Sequence, residues 1–319
     1  MLSRTADNLY WLARYMERAD FLARIVEASL RVSALPDNDA SDGAEWQGAL
    51  RSSGVEEAFA ATGLVADEAS VVFFLTFSLD NPSSIRNCVD LARNNARCVR
   101  TALTVEMWET INAAWLEMRQ FETAQNADGL HDRERVGRFL DFLKRTSLAF
   151  DGSAYRTMLR NDAYWFARVG LYIERADNTA RLLDVKYHVL LPENESVGGS
   201  LDYSQWTAVL RAVSALTAYH WVYRESVKPW LIADLLILKV EMPRSLISCY
   251  ENLVRNLDHL AETHGEEGPA QREAREARAK LEGASIKTIF QSGLHEFIAA
   301  FVEGNNRLGQ TISEQYMLS

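Results

Sequence analysis

Residues 10–24 read YWLARYMERADFLAR, and residues 164–181 read YWFARVGLYIERADNTAR. The Tyr-Trp and Ala-Arg pairs of the two stretches are 154 residues apart and the Glu-Arg-Ala-Asp blocks 157, so the second copy carries three extra residues. Both stretches have the spacing of a helix rather than the alternation of a strand. At about 100° per residue, three extra residues turn the helix by roughly 300°. The two blocks are therefore expected to keep roughly one face.

A second pair of segments points the same way. Asp80-Asn81-Pro82-Ser83-Ser84-Ile85 matches Glu241-Met242-Pro243-Arg244-Ser245-Leu246 at an offset of 161. Each follows an apolar run, Val71–Leu79 in one case and Leu231–Val240 in the other. The pattern is that of a duplication with small insertions. It predicts two pseudo-repeats, about 1–150 and 151–319, packed as one composite domain over 1–319. The fold expected is an all-α bundle of about a dozen helices.

Composition agrees. The chain has 319 residues and only six prolines, where average usage would give roughly sixteen. Glycine, at 16, is also sparse. With 44 acidic against 34 basic side chains the net charge is −10, so the broad basic field of a nucleic-acid binder is missing. Three cysteines without a CxxC pair disfavour a disulfide framework or a zinc knuckle. No uncharged apolar stretch approaches the ~18 residues of a membrane span, and the start lacks a signal-peptide core. A reduced, cytoplasmic protein is expected.

Four polar stretches read as loops: 36–45, 125–133, 192–203 and 263–271. Helices are expected over Asn8–Ser33 and about Asp162–Leu191, the latter starting as early as Ala154. The apolar run Val71–Leu79 suits a buried helix or strand. Ser53-Gly54-Val55-Glu56 has the form of a capping box, and Pro82 and Pro243 suit a first helical turn.

On a helical wheel Trp11, Leu12, Tyr15, Ala19, Leu22, Ala23, Val26 and Leu30 make a broad apolar face. Asp20, Arg24, Glu27 and Arg31 form a polar stripe, solvated or paired at i,i+4. Arg14 and Arg18 fall among Tyr10, Trp11, Phe21 and Ile25, so they are at least partly buried and need acceptors. Glu17 and Arg18 point about 100° apart, so each must find its partner on another element. One reading is a reciprocal lattice in which Glu17 meets Arg175 while Glu174 meets Arg18. The other is a recess where Arg14, Arg18, Arg168 and Arg175 hold a carboxylate or phosphate and Glu17 or Glu174 is the acid–base group. Trp11 and Trp165 read as core.

Other constellations fail. The six histidines form no HExxH or ExxH, so no metal site of those kinds is expected. There is no GxxxxGK[ST], GxGxxG or GxSxG. Gly198-Gly199-Ser200 reads as a linker, and Arg272–Lys280 as a solvated helix face.

The opening MLSRTADNLYWLARYMERAD, with its second copy AYWFARVGLYIERAD at 163–177, resembles the alpha-E domain family, a helical family named for its Glu-Arg motif. The segments 81–85, 92–97 and 243–246 extend the resemblance over essentially the whole chain. Motif positions to which it gives no role are Tyr10, Trp11, Asp20, Ser84, Asn95, Arg97, Glu106, Trp108, Glu109, Asn112, Tyr164, Trp165, Asp177, Arg244 and Ser245. Asn94 departs from the pattern, which more often has Glu there. The resemblance implies a place beside circularly permuted ATP-grasp ligases and transglutaminase-like proteins, in a system that makes amide-linked peptides. The chain would then be an accessory or substrate-presenting subunit, with no cofactor of its own and ATP expected only on the partner ligase. An enzyme acting on an amino-acid or peptide-like substrate in the Glu/Arg recess is the alternative, and a helical protein-interaction module the third. No nucleic-acid or membrane partner is expected, and self-association is left open.

Overall fold

The computed structural model describes residues 1–34, 43–128, 133–188 and 200–317. Among them are fifteen α-helices, one 3-10 turn and no strand. The excess over a dozen comes from short pieces such as α3 (Glu56–Ala60) and α14 (Ile286–Ser292). Of the expected loops at 36–45, 125–133 and 192–203, residues 36–42, 129–132 and 192–199 lie outside the described residues, and of the Gly198-Gly199-Ser200 linker only Ser200 lies within them, as the first residue of a helix. Their flanks at 44–45, 125–128, 133 and 200–203 are helical.

Two long helices form the centre: α1 (Ser3–Ser33) and α8 (Asp162–His188). Contacts between them pair Met1 with Asp162, Tyr10 with Gly170 and Arg14 with Glu174. The order is the same along both, so the helices run parallel. They touch at small residues, Ala13 and Ala167 beside Leu171. A methyl group added at Gly170 would stand 2.2 Å from the Tyr10 carbonyl oxygen, so only glycine permits this approach.

Around this pair the packing has matching parts. Helix α5 (Ile85–Cys98) packs on α1, and α12 (Leu246–His264) packs on α8. Each begins at a serine whose hydroxyl accepts an amide of its own first turn, Ser84 from Asn87 and Ser245 from Ser248. Pro82 and Pro243 therefore lie ahead of the helices rather than in their first turns, because the serines take the cap. The apolar runs before them are helices: α4 (Glu68–Thr76) and α11 (Pro229–Leu238) bury Val71, Val72, Phe74 and Leu75, and Ile232, Leu235, Leu236 and Ile237. A helix apolar on most sides has to be enclosed.

Two other expectations are corrected. Ser53 caps no helix: its hydroxyl bonds back to the Ala49 carbonyl, and Gly54 takes a left-handed φ of 66° that ends α2 (Ala44–Ser52). Ala154 belongs to α7 (Arg133–Thr157), and α8 starts afresh at Asp162. The break is fixed by Asn161, whose side-chain oxygen accepts the Ala163 amide. Helices α9 (Ser200–Ala212) and α15 (Leu294–Tyr316) pack directly on the pair, whereas α6 (Val105–Asp128) lies on α5 and α7, α10 (Leu216–Tyr223) on α9 and α11, and α13 (Pro269–Glu282) on α12 and α15. Most buried apolar side chains from Ala6 to Met317 form one connected cluster, with Ala13, Ala167 and Leu171 a second, small one between α1 and α8. None of the helices described is long and apolar enough to cross a membrane.

Candidate functional site

The Glu-Arg motifs of α1 and α8 face each other across the helix pair. Glu174 accepts from Arg14 Nε at 2.8 Å and from Arg18 Nε at 2.6 Å and Nη2 at 3.1 Å. Glu17 accepts from Arg175 Nε at 3.2 Å and Nη2 at 2.8 Å. The reciprocal pairing expected of two facing copies is thus the one observed. Both carboxylates are 2 % exposed, and each has two guanidinium groups within bonding distance.

The two halves differ in where the second guanidinium comes from. For Glu174 it is Arg14, on the facing helix. Arg168, the counterpart of Arg14 in the second copy, does not reach Glu17. It pairs with Asp151 of α7 and bonds the Tyr172 hydroxyl at 2.7 Å. The three inserted residues explain this, since they restore the face but advance the axis by about 4.5 Å. Arg244, just before α12, fills the position instead: it donates to Glu17 at 2.6 Å and to Asp20 at 2.8 Å. Its counterpart in the other half is Ser83, which accepts from Arg18 at 3.3 Å.

Asp20 and Arg24 pair at i,i+4, one of the two arrangements expected of the polar stripe, but they are buried rather than solvated. Arg24 Nε bonds Asp20 at 2.8 Å and Arg24 Nη1 bonds Ser214 Oγ at 2.9 Å. Further along α1, Glu27 and Arg31 pair at i,i+4 as expected. Asp177, matching Asp20, bonds Arg181 at 2.6 Å. Asp20 and Asp177 each keep one buried carboxylate oxygen with no partner among the described residues. Six arginines (14, 18, 24, 175, 181 and 244) thus meet four carboxylates, an excess of two positive charges inside an acidic protein.

The field of these groups sets their ionisation. Burial alone would raise the Glu17 and Glu174 carboxyls, but the paired arginines outweigh it and hold both at about 2. Both are fully ionised near neutral pH with their lone pairs engaged. A proton acceptor in catalysis needs a value nearer the working pH and a free oxygen, and neither glutamate has them. Asp177 is raised by burial, only partly offset by Arg181. Burial pushes the thiols of Cys88 and Cys249, which stand at the same position of α5 and α12, up to about 12.

The other motif residues fall into two sets. Tyr10 and Trp11 surround Arg14, whose guanidinium lies 4.6 Å from the Trp11 ring and bonds the Tyr10 hydroxyl at 3.1 Å. Tyr164 lies beneath Arg160 at 3.9 Å, and Trp165 stacks on His259 at 4.4 Å. Trp11 and Trp165 are half-buried and pack against the core, in line with the reading of both as core, and their ring faces take Arg14 and His259. Ser84 and Ser245 are the caps described above. Asn95, Arg97, Glu106, Trp108, Glu109 and Asn112 lie on α5 and α6 and make no hydrogen bond or ion pair to the lattice. Asn112 accepts from Arg93 at 2.9 Å, Trp108 lies 5.3 Å from the Arg100 guanidinium, and Arg97, Glu106 and Glu109 are exposed, as is Asn94. Among the described residues no group of three or more His, Cys, Asp or Glu side chains is placed to hold a metal ion.

The model of the Alpha-E family, an alpha-helical domain with a conserved ER motif, matches residues 1–317. No curated protein and no solved structure matches the chain. Sequence reasoning missed the part played by Arg244, although Pro243-Arg244-Ser245 had been singled out. The signal available was the unequal offset of the motifs, which leaves Glu17 one arginine short.

Proposed function

The chain belongs to the Alpha-E family, and from that premise we propose that it is an accessory or substrate-presenting subunit of an ATP-grasp-associated amide ligase system. The carrying observation is the saturation of both motif carboxylates. With Glu17 and Glu174 engaged by arginines and held at about 2, the Glu-Arg motif serves as an interhelical clamp rather than an acid–base pair. The sequence carries no phosphate-binding glycine motif, so the nucleotide chemistry belongs to a partner. The family's association with circularly permuted ATP-grasp ligases and transglutaminase-like proteins supplies that partner. Helices α10 and α11 leave Trp221, Val222 and Trp230 exposed, and aromatic side chains of this kind are enriched at protein interfaces.

The test is co-expression with a circularly permuted ATP-grasp ligase from the same genome. The expected result is co-purification and amide formation that depends on this chain, both weakened by Trp221→Ala. A ligase equally active and equally selective without this chain would overturn the reading.

A further inference from the structure

A cleft of about 430 Å³ opens where α1, α7 and the α9–α10 connection meet, away from the two motif glutamates. Its charged lining is Arg24, Glu27, Arg31, Lys144 and Arg211, with the hydroxyl residues Ser214 and Thr217 beside them. Four cations thus face one carboxylate. Glu27 is already engaged by Arg31 and Lys144, at 2.8 Å each, and Lys144 also meets the exposed Asp141 at 2.9 Å. Arg211 makes no ion pair among the described residues. The geometry points to an oxyanion-binding cleft, taking a small organic anion through its carboxylate or phosphate groups.

Three features beyond charge carry this. First, Arg24 is fixed before any ligand arrives. It is 7 % exposed, with Asp20 holding its Nε and Ser214 its Nη1, so little side-chain entropy is left to lose on binding. Second, Ser214 is a non-glycine residue with a left-handed φ of 57°. Its amide bonds the Arg211 carbonyl and the next amide, that of Ala215, bonds the Leu210 carbonyl, which closes α9 and turns the chain at the cleft wall. Third, α10 starts at once from Ala215, which offers no side-chain cap. Leu216 and Thr217, in its first turn, line the cleft, so the positive end of that helix adds to the cationic field. The volume exceeds what one oxyanion group fills. Ala28 and Leu216 offer apolar wall to an organic body between or beside the charged groups.

This inference stands on the cleft alone and is independent of any ligase partner. The experiment is isothermal titration of the full chain with pyrophosphate and, separately, with citrate at low ionic strength. Saturable binding of at least one is expected. Loss of a charge-assisted contact costs about 1.5–3 kcal/mol, so Arg211→Ala and Arg31→Ala should each weaken it by about tenfold or more. Both side chains are at the exposed lip, and far-UV circular dichroism checks that the fold is kept. Arg272→Ala, which removes the same charge from exposed α13, should leave binding within about twofold. Pyrophosphate binding without citrate binding assigns a phosphate ligand, and the reverse a polycarboxylate. Failure of both probes to saturate below about 10 mM overturns the proposal, since that affinity would be under ~3 kcal/mol. So does equal weakening by Arg272→Ala, or none by Arg211→Ala and Arg31→Ala.

Discussion

Glu174→Gln is the sharpest perturbation of the central lattice. The substitution preserves side-chain shape and removes one charge, leaving Arg14 and Arg18 against a neutral amide. Its cost follows by two routes. The carboxyl is held at about 2 against an ordinary 4.5, which corresponds to roughly 3 kcal/mol of preference for the ionised form. Removing one partner of a buried pair costs about 3–5 kcal/mol. The routes agree, and the loss is a large part of the ~5–15 kcal/mol typical of a folded protein. The sign with pH is fixed as well. Because the folded value lies below the unfolded one, the native state binds fewer protons, and this contribution is complete above about pH 4.5 and lost as pH falls through about 2. Equilibrium urea unfolding of parent and variant, followed by far-UV circular dichroism, measures both. The gap should be widest above pH ~4.5 and close toward pH ~2, where the parent's glutamate is neutral too. A variant within about 1 kcal/mol of the parent at neutral pH, or a gap independent of pH, would refute the clamp.

Three further outcomes follow from local geometry. Gly170→Ala should destabilise by about 1–3 kcal/mol in urea unfolding, because its methyl group meets the Tyr10 backbone at 2.2 Å, whereas Gly137→Ala and Gly152→Ala on α7, with open space at the added carbon, should stabilise by up to about 1 kcal/mol each. Ser84→Ala and Ser245→Ala should each cost about 1 kcal/mol, with Ser245 the costlier because its hydroxyl also bonds the Lys239 carbonyl at 2.6 Å; the same unfolding assay ranks them. Of the three cysteines, only exposed Cys98 should react with a thiol reagent in the native protein, Cys88 and Cys249 labelling only after unfolding.

How much of this the sequence disclosed depends on which residues carried the information. Glu17 and Arg18, adjacent in sequence but about 100° apart on a wheel among apolar neighbours, had to find partners elsewhere, and the second copy of the motif supplied those partners. What one wheel could not show was which face a third element would cover. The wheel allows Asp20 and Arg24 to be solvated or paired at i,i+4; they pair, but nothing in α1 announces that Arg244 and the α9–α10 connection close over them. The Ser53 pattern misled for a related reason: Gly54 in a left-handed conformation ends one helix in letters that also spell the start of another. Matching angle without matching height misplaced Arg168, since a full turn restores the face and shifts the side chain along it.

The displaced arginine also shows what the ion pairs add to the packing. Slippage by one helical turn along the α1–α8 seam of Ala13, Ala167, Gly170 and Leu171 would bring a bulkier residue to the Tyr10 carbonyl, which only Gly170 admits. The charges do not tolerate such a slip. The three-residue insertion sets Arg168 about 4.5 Å along the axis from the position that Arg14 holds in the first copy, and there it pairs with Asp151 of α7 instead. With Glu17 bonded to α8 through Arg175 and to the start of α12 through Arg244, and Glu174 bonded twice to α1, a slip of either helix would strand buried charges. Replacing such lattices by apolar groups is often neutral or stabilising in total free energy. The contribution of this one is therefore register: it selects one axial alignment of α1, α8 and α12. That alignment also fixes Arg24, through Asp20 and Arg244, at the wall of the cationic cleft.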